Sequence, residues 1–294
     1  MRPGSVSRTA LGTAAGRAVE SCHFKGERLF EDPFAREFLP FSYRVIVHLL
    51  CLPAIGPALL SLRERQLPGI MGNLLCRTRF IDDVLGDAIK RGIAQLVILG
   101  AGLDSRAYRI PGIEQIHVIE VDHPITQEWK KGRLKRMLGM FPSHVTFVPI
   151  DFDRQELSIA MQQADFRADA KTLFIWEGVT QYITPEAADA SLRFISSSAG
   201  PESEIVFTYI DDRIIDGSLR LEGSERLIAN LRRQGEPWIF GIAPAELDAY
   251  LAARGFELVE EAGASEYRER YLEPLGRGMN IFEGERAALA RVKR

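Results

Sequence analysis

The sequence predicts an α/β protein built on a mostly parallel sheet with helices on both faces and a helical addition at its N-terminus. Three observations carry this. The hydrophobic period changes near residue 93, from helical spacing to short β-branched runs. Those runs then alternate with helical stretches, the pattern of βαβ units. The first run ends in a glycine-rich turn, Gly100–Ala101–Gly102, which leads into a helix start, as in Rossmann-like domains.

Residues 1–92 form a helical cap within the same domain as residues 93–294. Helical spacing is present over Ala10–Glu20, Pro33–Leu39, Tyr43–Leu52 and Asn73–Lys90, and Phe30–Glu31–Asp32–Pro33 is a helix-start signal. Phe41–Leu62 is apolar over much of its length, but Arg44 and His48 interrupt it and Pro53, Gly56 and Pro57 break it. A spanning helix needs about 20 uninterrupted apolar residues. The segment therefore reads as a buried helix pair or a pocket lid, and no membrane partner is expected.

From residue 93 onward the apolar runs Gln95–Leu99, Gln115–Val121, Val145–Ile150, Thr172–Trp176 and Glu204–Tyr209 are strands. The helical patterns Pro124–Leu138, Arg154–Gln163 and Pro185–Ser198 lie between them. Asp211–Trp238 is polar and Arg-rich, a helical insertion and expected lid over the sheet edge. Pro244–Arg254 reads as a helix, Phe256–Val259 as a strand and Met279–Glu283 as the last strand.

Lys and Arg number 37 against 40 Asp and Glu, for a net charge of -3. This is not the footprint of a nucleic-acid binder. The run Lys130–Arg136 reads as a solvated helix face. Cys22, Cys51 and Cys76 have neither metal nor redox spacing, so they read as incidental thiols of a reducing compartment. The N-terminus lacks the apolar core of a secretory signal, and a cytoplasmic location is expected. No metal site is expected.

Chemistry gathers at the strand ends. In Val97–Ile98–Leu99–Gly100–Ala101–Gly102–Leu103–Asp104–Ser105, Gly100 and Gly102 permit close approach of backbone and ligand. About 20 residues on, Glu120–Val121–Asp122 ends the next strand, where α/β nucleotide binders place a carboxylate for ribose hydroxyls. Asp122 is preferred and Glu120 is the reserve; a helix-cap role for Asp122 before Pro124 is equally weighted by position alone. Ser105 replaces the third glycine of a dinucleotide fingerprint, and Asp104 puts an anion where a pyrophosphate would sit. That carboxylate tolerates a sulfonium cofactor carrying an ammonium group. At the third strand end, Asp151 is placed to accept from an adenine amino group, with Phe152 beside the ring. Glu177 ends the fourth.

The runs Arg77–Thr78–Arg79–Phe80–Ile81–Asp82, Leu99–Arg106, Glu120–Val121–Asp122–His123–Pro124 and Trp176–Glu177–Gly178–Val179–Thr180–Gln181–Tyr182–Ile183 together resemble the leucine carboxyl methyltransferase family. The resemblance covers roughly residues 9 to 285, with Thr9–Ala10, Arg17–Ala18, Glu20 and Asp32–Pro33–Phe34–Ala35 also similar. It is closest to a bacterial branch linked to polyketide O-methylation. It implies a seven-stranded class I methyltransferase fold that binds S-adenosylmethionine and methylates a protein C-terminus, a small acid or a polyketide-like molecule; the near-neutral charge and apolar N-terminal helices favour a small, partly apolar acceptor. It further implies that Arg77 pairs with the methionine carboxylate, with Arg79 competing for that role. Gly100 would line the methionine part, Asp122 the ribose, Asp151 and Phe152 the adenine. Glu177 would face the amino group or the acceptor. Gln181 stands where the family has an apolar residue, and Phe152 where leucine is common.

Methyl transfer is an in-line displacement, so the protein mainly positions and desolvates. A carboxylate acceptor needs no base; a hydroxyl benefits from one. Tyr182 and His123 are the weak catalytic candidates. The rival readings are an NAD(P)-dependent oxidoreductase and a non-catalytic S-adenosylmethionine-binding protein. The absence of a Tyr-x-x-x-Lys pair near a strand end disfavours the first.

Overall fold

The computed structural model describes residues 6–23, 26–151, 155–162 and 164–293. Its centre is one seven-stranded sheet: β1 (Gln95–Leu99), β2 (His117–Asp122), β3 (Val145–Pro149), β4 (Thr172–Trp176), β5 (Glu204–Ile210), β6 (Phe256–Ala262) and β7 (Glu285–Val292). The spatial order is β3-β2-β1-β4-β5-β7-β6. The first five strands are parallel; β7 runs antiparallel to both β5 and β6. Every residue of β1, β4 and β5 is buried, which explains their continuous apolar runs.

The helices are α1 (Arg8–Glu20), α2 (Ala35–Phe38), α3 (Phe41–Leu50), α4 (Gly56–Gln66), α5 (Ile70–Lys90), α6 (Arg106–Arg109), α7 (Pro124–Leu138), α8 (Leu157–Gln162), α9 (Pro185–Ser198), α10 (Asp212–Ile215), α11 (Ser224–Gln234), α12 (Leu247–Ala252) and α13 (Ala264–Tyr267). Strand alternation divides the core in two. Leu96, Ile98, Leu173 and Ile175 pack against Phe80, Ile81 and Leu85 of α5. Val97, Leu99, Phe174 and Trp176 face Leu192 and Ile195 of α9 and Leu247 and Leu251 of α12. Local signals fix several helix starts. Ser7 accepts from the Ala10 amide to cap α1, and Thr184 caps α9 with Pro185 in its first turn.

Several expectations are corrected. The last strand is not Met279–Glu283, which is irregular, but Glu285–Val292. Its alanines carry little β-propensity, and pairing with a strand on each side decides the matter. The helical pattern expected from Arg154 begins at Leu157. Phe41–Leu62 does form a helix pair, but only Val47 in α3 and Gly56 in α4 are buried. Lys130 is no solvated residue. It is 1% exposed and ion-paired with Glu120 at 2.7 Å beneath the Phe38 and Tyr108 rings. Cys22 and Cys51 are joined by a disulfide that ties the end of α1 to the end of α3, while Cys76 is buried and free. The cysteine pattern therefore gives no support to a reducing compartment. Among the described residues, no helix is long and apolar enough to cross a membrane.

Candidate functional site

The chain builds β1 to β3 outward on one side and then returns to place β4 on the other side of β1. The reversal opens a crevice at the carboxyl ends of β1 and β4, the usual ligand position in such sheets. A cavity of about 1620 Å³ lies there, floored by the strand ends and roofed by α1, α3, α4 and α11. Pockets for one small ligand run to roughly 300–1,000 Å³, so there is room for two molecules.

The glycine turn leaves β1 with φ of +65° at Gly100 and +45° at Gly102, both in the left-handed region. A Cβ at Gly100 would lie 2.4 Å from Val179 Cγ2, so that glycine is required by packing as well as by backbone. At Gly102 the nearest neighbours are 3.7 Å away, and the cost of a side chain is conformational. The Gly102 amide donates to Asp122 Oδ2 at 3.0 Å, and the Ala101 amide donates to the Val121 carbonyl at 3.0 Å. The turn is thus laced over the end of β2.

Burial pushes the Asp122 carboxyl up to about 6. The cap role that competed for it belongs to its neighbour: His123 Nδ1 accepts from the Ile125 amide at 3.3 Å at the start of α7. Both residues line the cavity. Glu120, the reserve, is committed elsewhere. It is 1% exposed, paired with Lys130 and hydrogen-bonded by the Tyr108 hydroxyl at 2.8 Å.

Arg77 projects from α5 and is buried, not a surface ion-pair residue. Its Nε donates to Glu177 Oε1 at 3.0 Å, and its Nη1 is bonded to Glu285. Arg79 points away, to Asp83 and the Leu29 carbonyl. Glu177 also accepts from Arg106 Nη1 at 2.7 Å. Burial raises its carboxyl, but the Arg106 and Arg77 charges outweigh this and hold it below the ordinary range. Asp104 accepts from the Arg106 amide at 2.7 Å and from its guanidinium at 2.5 Å; there the cations overcome burial and hold the carboxyl at about 2. With only four residues, α6 offers no long helix to a pyrophosphate.

The network continues outward. Arg106 and Arg109 share Asp82 at 2.7 Å. Arg17 bonds Asp32 at 2.9 Å and the Leu103 carbonyl at 2.5 Å, and Ser105 bonds Asp32 at 2.6 Å. Sequence reasoning gave no role to Arg106, Glu285 or the Arg17–Asp32 pair. Arg106 and Asp32 stood inside quoted motifs; nothing local marks Glu285.

Two contacts tie the segment after α11 to the rest of the site. The Glu236 carboxylate, just past α11, accepts from the Arg8 and Thr9 amides at 3.2 and 3.1 Å and from the Thr9 hydroxyl. The Ile239 amide donates to the Gln181 carbonyl at 2.8 Å. Tyr182 lies between, and burial pushes its phenol above the ordinary range. Asp151 also lines the cavity. Phe152 and Asp153 lie outside the described residues. Among the described residues, no group of three His, Cys, Asp or Glu is placed to hold a metal ion.

Comparison with known proteins bears on the family and the fold. A relative in Bacillus subtilis, provisionally named an S-adenosyl-L-methionine-dependent methyltransferase, is 28% identical over 96% of this chain and 97% of its own. A similarly named protein of Mycobacterium marinum is 34% identical over 76% of this chain and 73% of its own. Two solved structures share the fold. One is a provisionally assigned methyltransferase from Thermobifida fusca, with a TM-score of 0.57 and 16% identity over 95% and 94% of the two chains. The other is a DUF574 family protein from Streptomyces avermitilis, with a TM-score of 0.57 and 15% identity over 95% and 97%. The model of the family described as leucine carboxyl methyltransferase matches residues 10–196, which is more than half of the sequence; the chain belongs to that family.

Proposed function

We propose that this protein is an S-adenosylmethionine-dependent methyltransferase that methylates a carboxyl or hydroxyl oxygen of a small, partly apolar acceptor, such as a polyketide-like molecule. Family membership and the relatives' names make it a methyltransferase of the S-adenosylmethionine-dependent kind. The observation that carries the site is the glycine turn bonded to a carboxylate of raised pKa on the floor of a cavity too large for one small ligand.

The residues fit the cofactor. Asp122 would accept from ribose hydroxyls, which would offset its desolvation. Gly100 and Gly102 keep side chains off the backbone beside it. Asp151 serves the adenine amino group, with Phe152 assigned beside the ring. Glu177, held ionised, suits an ammonium group. Two edges of Arg77 are taken by protein carboxylates, and its Nη2 faces Gly178 beside the cavity, where it is the edge left for a carboxylate. When bound, the cofactor supplies the electrophilic methyl group.

The chain's own task is positioning and exclusion of water. Tyr182, with its raised phenol, is a proton donor and not a base, so it orients an acceptor oxygen. His123 is occupied as a helix cap. An ionised carboxyl acceptor fits this set, because it needs no proton removed. The 211–238 insertion acts as a lid, latched to α1 through Glu236.

The test is incubation with methyl-labelled S-adenosylmethionine and a panel of apolar carboxylic acids and phenols. Label should move to at least one acceptor. Saturable binding without transfer would leave a binding protein, and absence of binding would remove the site assignment.

A further inference from the structure

Among the described residues, the outer face of the α3–α4 hairpin has no partner. Phe41 is 80% exposed, Ile46 50% and Leu62 54%, with Val45, Leu49, Ile55 and Leu59 also exposed. Phe41, Val45 and Leu49 recur every four residues, so they form one stripe along α3. An exposed apolar patch of this extent marks an interaction site.

Charge selects the occupant. No acidic residue stands between Glu37 and Glu64. Arg63 and Arg65 are exposed at the end of α4, and among the described residues neither pairs with a carboxylate. Lys135 and Arg136 are exposed on α7. That helix adjoins the hairpin: burial, and then the Arg136 and Arg44 charges, push the Arg133 guanidinium down. A second copy docking face to face would bring these cations together. An anionic surface would neutralise them.

We propose that the α3–α4 hairpin docks this protein onto an anionic lipid surface, with the cavity mouth turned toward the bilayer. The helices have 10 and 11 residues, too few to span, so they lie in the interfacial plane. This departs from the expectation of no membrane partner, which rests on the broken apolar run at Phe41–Leu62. Tyr43, Ile46 and Leu50 of α3 and Arg63 of α4 also line the cavity. The same hairpin is therefore both the docking face and the rim, and an apolar acceptor dissolved in the bilayer reaches the cavity without crossing water.

The experiment is flotation with vesicles of phosphatidylcholine, alone or mixed equally with phosphatidylglycerol, in the absence of cofactor and acceptor. Its failure would therefore leave the methyl-transfer reading untouched. The protein should float with the mixed vesicles and not with phosphatidylcholine alone, and raised salt should release it. Phe41→Ser with Leu62→Ser should lower partitioning at least tenfold. Arg65→Gln and Arg136→Gln should each lower it about fivefold at low salt. These residues lie off the cavity lining, so an unchanged unfolding midpoint and unchanged S-adenosylhomocysteine binding verify folding. Equal flotation of the serine double variant and wild type, or no flotation with either vesicle, would overturn the proposal. So would a dimer that the serine variants disrupt in a protein that ignores vesicles.

Discussion

The floor and the roof of the cavity are built in opposite ways. The floor is strand ends and a buried ion network, in which Arg77, Arg106, Asp104, Glu177 and Glu285 are nearly withdrawn from water. The roof includes α3 and α4, which bury few residues, and its contacts include the Glu236 carboxylate at the start of α1, an amide contact and a disulfide. A floor of coupled charges tolerates little change, because each removed partner strands another buried charge. A roof of sparse contacts can vary its side chains at small cost. Recognition common to the family therefore suits the floor, and recognition of a particular acceptor suits the roof.

The largest predicted effect tests the floor. Arg106→Ala strands Asp104 and takes one of two cationic partners from each of Asp82 and Glu177, and should cost about 3–5 kcal/mol in urea unfolding. A loss under 1 kcal/mol would mean that the network contributes little. Next, Asp122→Ala should weaken S-adenosylhomocysteine binding by about 1–3 kcal/mol by calorimetry. Its pH dependence has a definite sign. The folded carboxyl titrates at about 6, above an unfolded carboxylate, so its contribution to stability is present at low pH and lost as pH rises through 6. Ligand hydroxyls favour the ionised form, so wild-type affinity should fall as pH drops below about 6, and Asp122→Asn should flatten that profile. The smallest effect tests the roof. Glu236→Gln removes the anion at the start of α1, worth about 1 kcal/mol. Protease cleavage within 211–238 should then rise about fivefold, with S-adenosylhomocysteine affinity unchanged. A matching loss of that affinity would show that roof and floor are one cooperative unit.

Much of the floor was legible in advance. Gly100, Gly102, Asp122, Asp151 and Glu177 stand at strand ends, and strand ends follow from short-range periodicity. Their neighbours were not legible. Glu120 and Asp122 sit two residues apart on one strand, yet Lys130 claims one while the glycine turn holds the other at the cavity. Arg77 was expected to await a ligand and is already bonded to Glu177 and Glu285, 100 and 208 residues away. The Glu236 latch to Thr9 spans 227 residues. The exposed stripe of α3 reads in sequence like any amphipathic face, because apolar spacing is the same whether or not another element covers it.

The sequence by itself determined the order of the first five strands and the helices between them, the turn after β1 and the acids at or just past the ends of β2, β3 and β4, since these arise from backbone preference and local period. The tertiary structure alone decided which charges pair, which strand joins β5 to β6, and which apolar face stays uncovered. Those are properties of partners drawn from distant parts of the chain, and no local pattern records who the partner will be.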